Sequence, residues 1–593
     1  MDPFAYPLDT ATILQKKRSL KRTLLEQPGL IEKKVALLSG STIGEIKNIL
    51  ELFLLRQGIK PVFYEGGYGL FFENLVFDDG SLAAFAPDLI YIHTSVRNLK
   101  LWPNPGDGPE QVQQKLSAEY SRFEQAIRAA LGFGCPVICN NFDLPVYRVM
   151  GNREGSALEG RVHFVRQLNQ QLASLVQASS NLYLNDLAYL QALHGMDRFS
   201  SQTAWYAYKY AVSIDCIPYL CQSIANITKS LFGKNKKALA LDLDNTLWGG
   251  IVGDDGPEGI VLGSESPAGM AYSEFQSYLK ELSSLGVLLN VCSKNQEEAA
   301  LSGLARADSV LTREDFICFK ANWEPKSHNV AAMAKELNIL PESIVFVDDN
   351  PAEREIVRQE LPGVAVPEMT CPEEYIAVLD RSGYFEVTTL SADDAKRSAM
   401  YRQNLERSQL EQSFGDYNDY LKSLDMHCQI GRFDASHAER ITQLINKTNQ
   451  FNLTTRRYTA AEISALMENP DYLTLYGRLT DRFGDNGLVT AIIGHREGKV
   501  LDLELWIMSC RTFKRRLEHA MFDQLVAQAK AMGIETIIGH YYPTAKNLLV
   551  RDFYATIGFE QIAQDDEGNL TFAFTGLADY QPQCGVMEIE TVS

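Results

Sequence analysis

Four apolar runs, each ending in polar or charged residues, constrain this chain more than any other feature. "ALALDLDNT" leads into Asp242 and Asp244, and "GVLLNVCSKN" into Ser293. "EDFICFKANWEPKS" leads into Lys326, and "ESIVFVDDNPAER" into Asp348 and Asp349. Aliphatic runs of this length, without polar alternation, read as strands buried on both faces of a parallel sheet. The carboxyl ends of such strands converge on one crevice. Two carboxylates two residues apart repel one another, so their presence there calls for a positive partner between them.

The crevice built in this way holds three or four carboxylates, one hydroxyl and one ammonium. Hard oxygen donors in that number suit Mg²⁺, which screens their repulsion and binds a phosphoryl oxygen. The segment from Ser293 to Lys326 has room for one helix, one strand and a turn, so no cap domain fits there. The insertion after Asp242 is a short glycine-rich flap, "WGGIVGDDGPEG". An uncapped site of this kind is open to a long or protein-borne substrate.

At 593 residues the chain is too long for one core, and the α/β pattern recurs in separate blocks. Residues 1–32 read as a lead-in helix, 33–225 as an α/β domain and 235–380 as the phosphoryl-site domain. Residues 381–424 read as a helical bridge, 425–575 as a mixed α+β domain and 576–593 as a C-terminal tail. A net charge of −19 disfavours nucleic acid and anionic membrane surfaces as partners. No apolar run is long enough to span a bilayer, and "MDPFAYPLDT" lacks the layout of a signal peptide. The ten scattered cysteines include no metal-type C-x-x-C pair, which predicts reduced thiols in a cytoplasm.

In the first α/β domain the turn Ser39-Gly40-Ser41-Thr42 follows an apolar strand. The domain resembles the SGNH-hydrolase fold, which keeps its nucleophile at such a turn. The matching downstream Asp-x-x-His is not visible, since Asp215 is followed by "CIPY". The expectation is a non-catalytic domain.

In the third block, "LDLELWIMSCRTFKRRLEHAMFDQLVAQAKAMG" reads as a strand, a turn and an amphipathic helix. Cys510 is expected at the junction where that helix starts, followed by Arg511, Lys514, Arg515 and Arg516. A helix N-terminus with adjacent cations lowers a thiol pKa. A buried structural cysteine is the competing expectation, and Cys292, beside Ser293, is the rival thiol. The basic pair Arg456-Arg457 with Tyr458 reads either as an anion site or as a solvated face. This block resembles a GNAT acyltransferase, ending in its Asn547…Tyr554…Gly558-Phe559 pattern. Arg511 is followed by Lys514 and Arg516 where that family keeps glycines for the CoA pyrophosphate, which argues against ordinary acetyl-CoA binding.

"DLDNTLWGGIVGDDGPEGI", "CSKN", "NWEPKS", "FVDDNPAEREIV", "NKTNQFNLTTRRY" and "DRFGDNGLV" together resemble the haloacid dehalogenase superfamily, in its IIIC subfamily of FkbH-like proteins. The resemblance implies that Asp242 is a nucleophile forming an aspartyl phosphate, with Asp244 as general acid/base. It implies that Ser293, Asn295 and Lys326 hold the phosphoryl group. It places Mg²⁺ among Asp242, Asp244 (through its carbonyl), Asp348 and Asp349. It further implies transfer of a glyceryl group from 1,3-bisphosphoglycerate to an acyl carrier protein bearing a phosphopantetheine arm, with Cys510 as the candidate acyl-carrying thiol. The alternatives are a plain Mg²⁺-dependent phosphatase of a small phosphorylated substrate, and a non-catalytic scaffold. Intact Asp242, Asp244, Lys326 and Asp348 speak against the scaffold.

Overall fold

The computed structural model describes residues 2–77, 79–390, 396–544 and 546–592. The chain divides into two compact units, Met1–Lys234 with Thr459–Ala461, and Asn235–Tyr458 with Glu462–Ser593. Among the described residues no helix is long and apolar enough to cross a membrane.

The first unit is a parallel sheet of β1 (Ile31–Ser39), β2 (Ile59–Glu65), β3 (Leu89–His93), β4 (Val137–Asn140) and β5 (Leu182–Asn185), in the order β2-β1-β3-β4-β5. Successive residues of a strand face opposite ways, and the two faces carry two cores. Val35, Leu37, Leu89 and Tyr91 pack beneath the helices Gly44–Arg56 and Ile217–Leu231. Ala36, Leu38, Ile90 and Ile92 pack beneath Pro109–Leu131 and Arg161–Gln177. The expected single lead-in helix is two, Thr10–Gln15 and Lys17–Leu25, because Lys16 leaves helical geometry (φ −106°, ψ 22°).

The second unit opens with a four-stranded parallel sheet. Its strands are β6 (Ala238–Leu241), β7 (Leu288–Ser293), β8 (Phe316–Ala321) and β9 (Ile344–Val347), in the order β8-β7-β6-β9. Every residue of β6, β7 and β9 is buried, as uninterrupted aliphatic runs predict. The polar residue in the middle of β7, Asn290, is satisfied across the sheet. Its amide donates to the Leu239 carbonyl at 3.0 Å and its Oδ1 accepts from the Cys318 N–H at 3.1 Å.

The third block adds β10 (Met426–Gly431), β11 (Phe451–Asn452), β12 (Tyr472–Asp481), β13 (Gly484–Glu497), β14 (Val500–Met508), β15 (Thr536–Tyr541), β16 (Glu560–Gln564), β17 (Leu570–Phe574) and β18 (Met587–Val592). They form one mixed sheet in the order β16-β17-β15-β14-β13-β12-β10-β18, with β11 paired to β14. The segment expected as a C-terminal tail thus ends in a strand parallel to β10. Met587 and Ile589 turn toward the core while Glu588 and Glu590 face solvent, the alternation of a half-buried edge strand. The helix Arg397–Glu411, within the expected bridge, is tied to this sheet by Arg407, whose Nη2 lies 2.6 Å from Asp481 Oδ1 in a buried pair.

Candidate active site

Asp242 is the residue after β6, and its backbone N–H donates to the Val347 carbonyl at 2.9 Å. Asp242 and Asp348 are therefore brought side by side by the pairing of β6 with β9. Lys326 is the first residue of the helix Lys326–Glu336. Its Nζ lies 2.9 Å from Asp242 Oδ2 and 2.5 Å from Asp348 Oδ2, with all three side chains buried. Asp349, half-buried, completes a group in which carboxylate oxygens of Asp242, Asp348 and Asp349 all lie within 4.8 Å of one another.

The loop after β9 is held rigidly. Thr246 Oγ1 accepts from the Asp349 N–H at 3.2 Å, and Asp348 Oδ1 accepts from the Asn350 N–H at 2.9 Å. Arg354, itself buried, donates through Nη1 to the carbonyls of Asp348 (2.8 Å), Asp349 (2.6 Å) and Met369 (3.0 Å). Neither Thr246 nor Arg354 stood out among the candidate residues. The signal for both was present, as the threonine of D-x-D-x-T and the arginine of "DDNPAER".

Asp244 is placed apart from the three-carboxylate group. Its Oδ1 accepts from the Trp248 indole at 2.9 Å and the Val252 N–H at 3.0 Å, and its Oδ2 from the Asn295 amide at 2.9 Å. Asn295, expected to touch phosphate, thus spends its amide on positioning Asp244. The turn between the two aspartates and the flap is made by Asn245 in the left-handed region (φ 54°). The flap is closed at its base by reciprocal Gly249–Val261 backbone bonds of 3.0 and 2.8 Å. Ser293 ends β7, buried, and its carbonyl accepts from the Asn322 N–H at 3.1 Å, which anchors the loop leading to Lys326.

The electrostatics follow from crowding. Burial, then the Asp242 charge, raises the Asp348 and Asp349 carboxyls above the ordinary range. Burial is also the main cause of a raised Asp244. Burial pulls the Lys326 ammonium down, but Asp242 and Asp348 outweigh it and hold the group charged. One ammonium stands among four carboxylates, of which Asp242 and Asp348 are buried and Asp244 and Asp349 half-buried. The oxygen donor set of Asp242, Asp348 and Asp349 is the kind a small divalent cation takes.

Cys292 is fully buried, 3.6 Å from the Lys326 carbonyl, and burial drives its thiol pKa far up. It is not an accessible thiolate. The side chain of Cys510 lies outside the described residues. Its backbone opens a short turn, Cys510–Thr512, and the helix expected to start beside it begins only at Leu517. The delay has a physical cause. Arg515 turns inward, with Nη1 3.1 Å from Asp481 Oδ2 and Nη2 donating to Asn404 Oδ1 (2.7 Å) and the Arg511 carbonyl (2.8 Å). Its neighbours Lys514 and Arg516 then adopt left-handed backbone (φ 64° and 57°), which no helix accommodates. Arg515 is consequently a buried structural cation and not part of a solvent-facing cluster.

The basic pair is divided in the same way. Arg457 Nη1 donates to the carbonyls of Ile445 and Thr448, and Arg456 pairs with Glu504 at 2.7 Å. In the first unit, Ser39 stands in register with His93 on the adjacent strand. The Ser39 hydroxyl donates to the Ser41 carbonyl at 2.6 Å and accepts from the Ser41 N–H at 3.0 Å, which closes its own turn.

Residues 55–229 match the family model described as FkbH, N-terminal domain. A solved structure, the N-terminal part of the protein BF1531 from Bacteroides fragilis, containing a phosphatase domain complexed with Mg, is 29% identical with a TM-score of 0.58. The match covers 63% of this chain and 99% of that one. The ribosomal-protein-S18-alanine N-acetyltransferase of Escherichia coli matches 25% of this chain over 92% of its own, at 12% identity and a TM-score of 0.20. The GNAT domain of S. lividans PAT matches 24% of this chain over 88% of its own, at 14% identity and a TM-score of 0.20. No curated protein sequence matches the chain. Within the chain, residues 55–229 are thus similar to an FkbH N-terminal domain.

Proposed function

We propose that the chain is a Mg²⁺-dependent enzyme that draws an acyl group from an acyl phosphate, such as 1,3-bisphosphoglycerate, and passes it to the phosphopantetheine thiol of an acyl carrier protein. The observation that carries the phosphoryl half is the seating of Lys326 between Asp242 and Asp348, with Asp349 alongside. Asp242, Asp348 and Asp349 would hold the ion, which when bound offsets their charge and polarises a phosphoryl oxygen. The Mg complex of the BF1531 phosphatase domain supports this assignment. Lys326 and Ser293 hold the remaining phosphoryl oxygens, and the three donors on Asp244 aim its carboxyl for proton transfer to or from the reacting oxygen.

Which bond breaks separates transferase from phosphatase. If Asp242 attacks phosphorus, the P–O bond breaks and the acyl group leaves as a free carboxylate, its activation lost. For transfer, a thiolate attacks the acyl carbon, the C–O bond breaks, and phosphate leaves with the bridging oxygen. The crevice then serves to hold the departing phosphate. A plain phosphatase is the second reading, favoured by the placement of Asp242 and Asp244 and by the phosphatase domain in the matched structure.

The test uses an acyl phosphate in H₂¹⁸O with a carrier protein present. Transfer predicts a thioester on the carrier and phosphate free of ¹⁸O; hydrolysis at phosphorus predicts labelled phosphate and an unloaded carrier. If Cys510 carries the acyl group in between, Cys510→Ala forms no thioester by intact mass and loads nothing. Normal loading by Cys510→Ala means direct passage to the carrier thiol.

A further inference from the structure

The strand order of the first unit changes direction at β1, which is flanked by β2 on one side and β3 on the other. In open parallel sheets this is the place where a crevice forms outside the carboxyl ends of the strands. A cavity of about 180 Å³ lies there, between the connection after β2 and the turn after β3. Gly69 and the first turn of the helix Phe71–Val76 form one wall, Arg97 and Lys100 the other, and Arg122 of the helix Pro109–Leu131 lines it as well. The turn is seated on the end of β1, since the Asn98 amide donates to the Gly40 carbonyl at 2.7 Å. A Cβ on Gly40 would come within 2.2 Å of that amide, so this approach requires glycine.

Three cations line this space, in a chain whose net charge is −19. The two arginines are held in place. Arg97 Nη2 donates to Gln202 Oε1 at 2.8 Å, and its guanidinium lies 5.0 Å from the Trp205 ring centroid. Arg122 lies 4.4 Å from the Phe123 ring centroid, with Nη2 donating to the Asn98 carbonyl at 2.6 Å and Glu119 Oε2 at 2.8 Å. Its Nε is buried with no partner among the described residues. Glu119, the carboxylate paired with Arg122, is already committed, because its Oε1 accepts from the Lys100 and Leu101 N–H groups at 2.9 and 2.6 Å. The remaining acid on the wall, Glu73, is exposed, so the lining keeps a positive balance.

We propose that this cavity binds a small oxyanion, a phosphate or carboxylate group on a compact molecule, through Arg97, Lys100 and Arg122. Fixed guanidinium forks match the paired oxygens of either group. The cavity has room for the anion and a few attached carbon atoms.

Calorimetric titration of the full chain with inorganic phosphate, and separately with acetate, tests the site. The expected result is a phosphate-binding event that Arg97→Ala/Lys100→Ala weakens about tenfold, with p-nitrophenyl phosphate turnover unchanged. Because Lys100 is exposed, Lys100→Ala alone keeps the fold and should weaken binding several-fold, and it decides the matter if the double variant is unstable. Displacement of phosphate by acetate assigns the group as a carboxylate, and tight phosphate binding indifferent to acetate assigns it as a phosphate. Identical isotherms for wild type and a folded Lys100→Ala and double variant, or no binding of either anion, overturn the proposal. A chain that binds phosphate here yet turns over no phosphate ester separates this site from the phosphoryl crevice.

Discussion

Lys326 Nζ stands 2.5 Å from Asp348 Oδ2 and is the only cation paired with either buried carboxylate of the crevice among the described residues. Removing it leaves the Asp242 and Asp348 carboxyls buried side by side without their cation. Breaking a buried pair of this kind costs about 3–5 kcal/mol. Lys326→Ala should therefore lower the stability of the second unit by that order in metal-free buffer, and added Mg²⁺ should recover part of the loss. Denaturant unfolding with and without Mg²⁺ is the measurement. A loss that Mg²⁺ leaves untouched would count against a cation site at Asp242, Asp348 and Asp349.

Asp242→Asn keeps the shape of the side chain and removes the charge that would hold the ion and, in the phosphatase reading, the nucleophile. Phosphate release should stop, as it should on chelation of divalent cations, while the circular dichroism spectrum stays that of the wild type. Turnover retained in Asp242→Asn would remove an aspartyl phosphate from the mechanism.

Asn295 distinguishes two roles by which kinetic constant moves. Its amide is bonded to Asp244 Oδ2 at 2.9 Å, so Asn295→Ala should lower kcat about tenfold or more, through misplacement of the acid/base group, with KM little changed. A risen KM with kcat intact would make Asn295 a phosphate ligand.

His93 makes the first unit sensitive to acid. Burial lowers its pKa to about 4, against about 6.5 in an unfolded chain. The stability that rests on the neutral ring is whole above pH 6.5 and is lost as pH falls toward 4, by roughly 3 kcal/mol in all. Asp143 works the other way, since burial raises it to about 6, and its protonation favours the folded state as pH falls below that value. Between pH 7.5 and 4.5, His93→Gln should flatten the acid loss of stability and Asp143→Asn should steepen it. Equal slopes in all three proteins would show that neither group titrates as its burial demands.

The first unit should also be silent toward serine-reactive probes. The Ser39 hydroxyl is already engaged with Ser41 on both sides, and Asp215 sits in a short turn with no histidine three residues on. Ser39→Ala, Ser41→Ala and Thr42→Ala should leave phosphate release unchanged. Labelling of any residue between 33 and 225 by a fluorophosphonate would contradict this.

The elements and the crevice were legible in the chain because both are local matters. Each of β6, β7 and β9 is an unbroken aliphatic run, and each run hands its polar cargo to the same end of a parallel sheet. That reasoning places Asp242, Ser293, Lys326 and Asp348 at one edge with no knowledge of their contacts. What a side chain does there is decided by competition among distant partners, which spacing does not encode. Lys326 lies between two carboxylates because β6 pairs with β9, and Asn295 turns to Asp244 because the flap brings the Trp248 indole and the Val252 N–H to the same carboxylate. The cationic run after Cys510 shows the limit most clearly. Read along the chain, Arg515 belongs to a cationic cluster at a helix start. In the folded protein, Asp481 lies 34 residues upstream and offers a buried carboxylate, so Arg515 turns inward and the helix starts later. Likewise β18 exists only because β10 leaves an edge free for Met587 and Ile589 to cover. Local periodicity determined which segments are strands and helices; long-range pairing of charge and edge decided which of their residues face the chemistry.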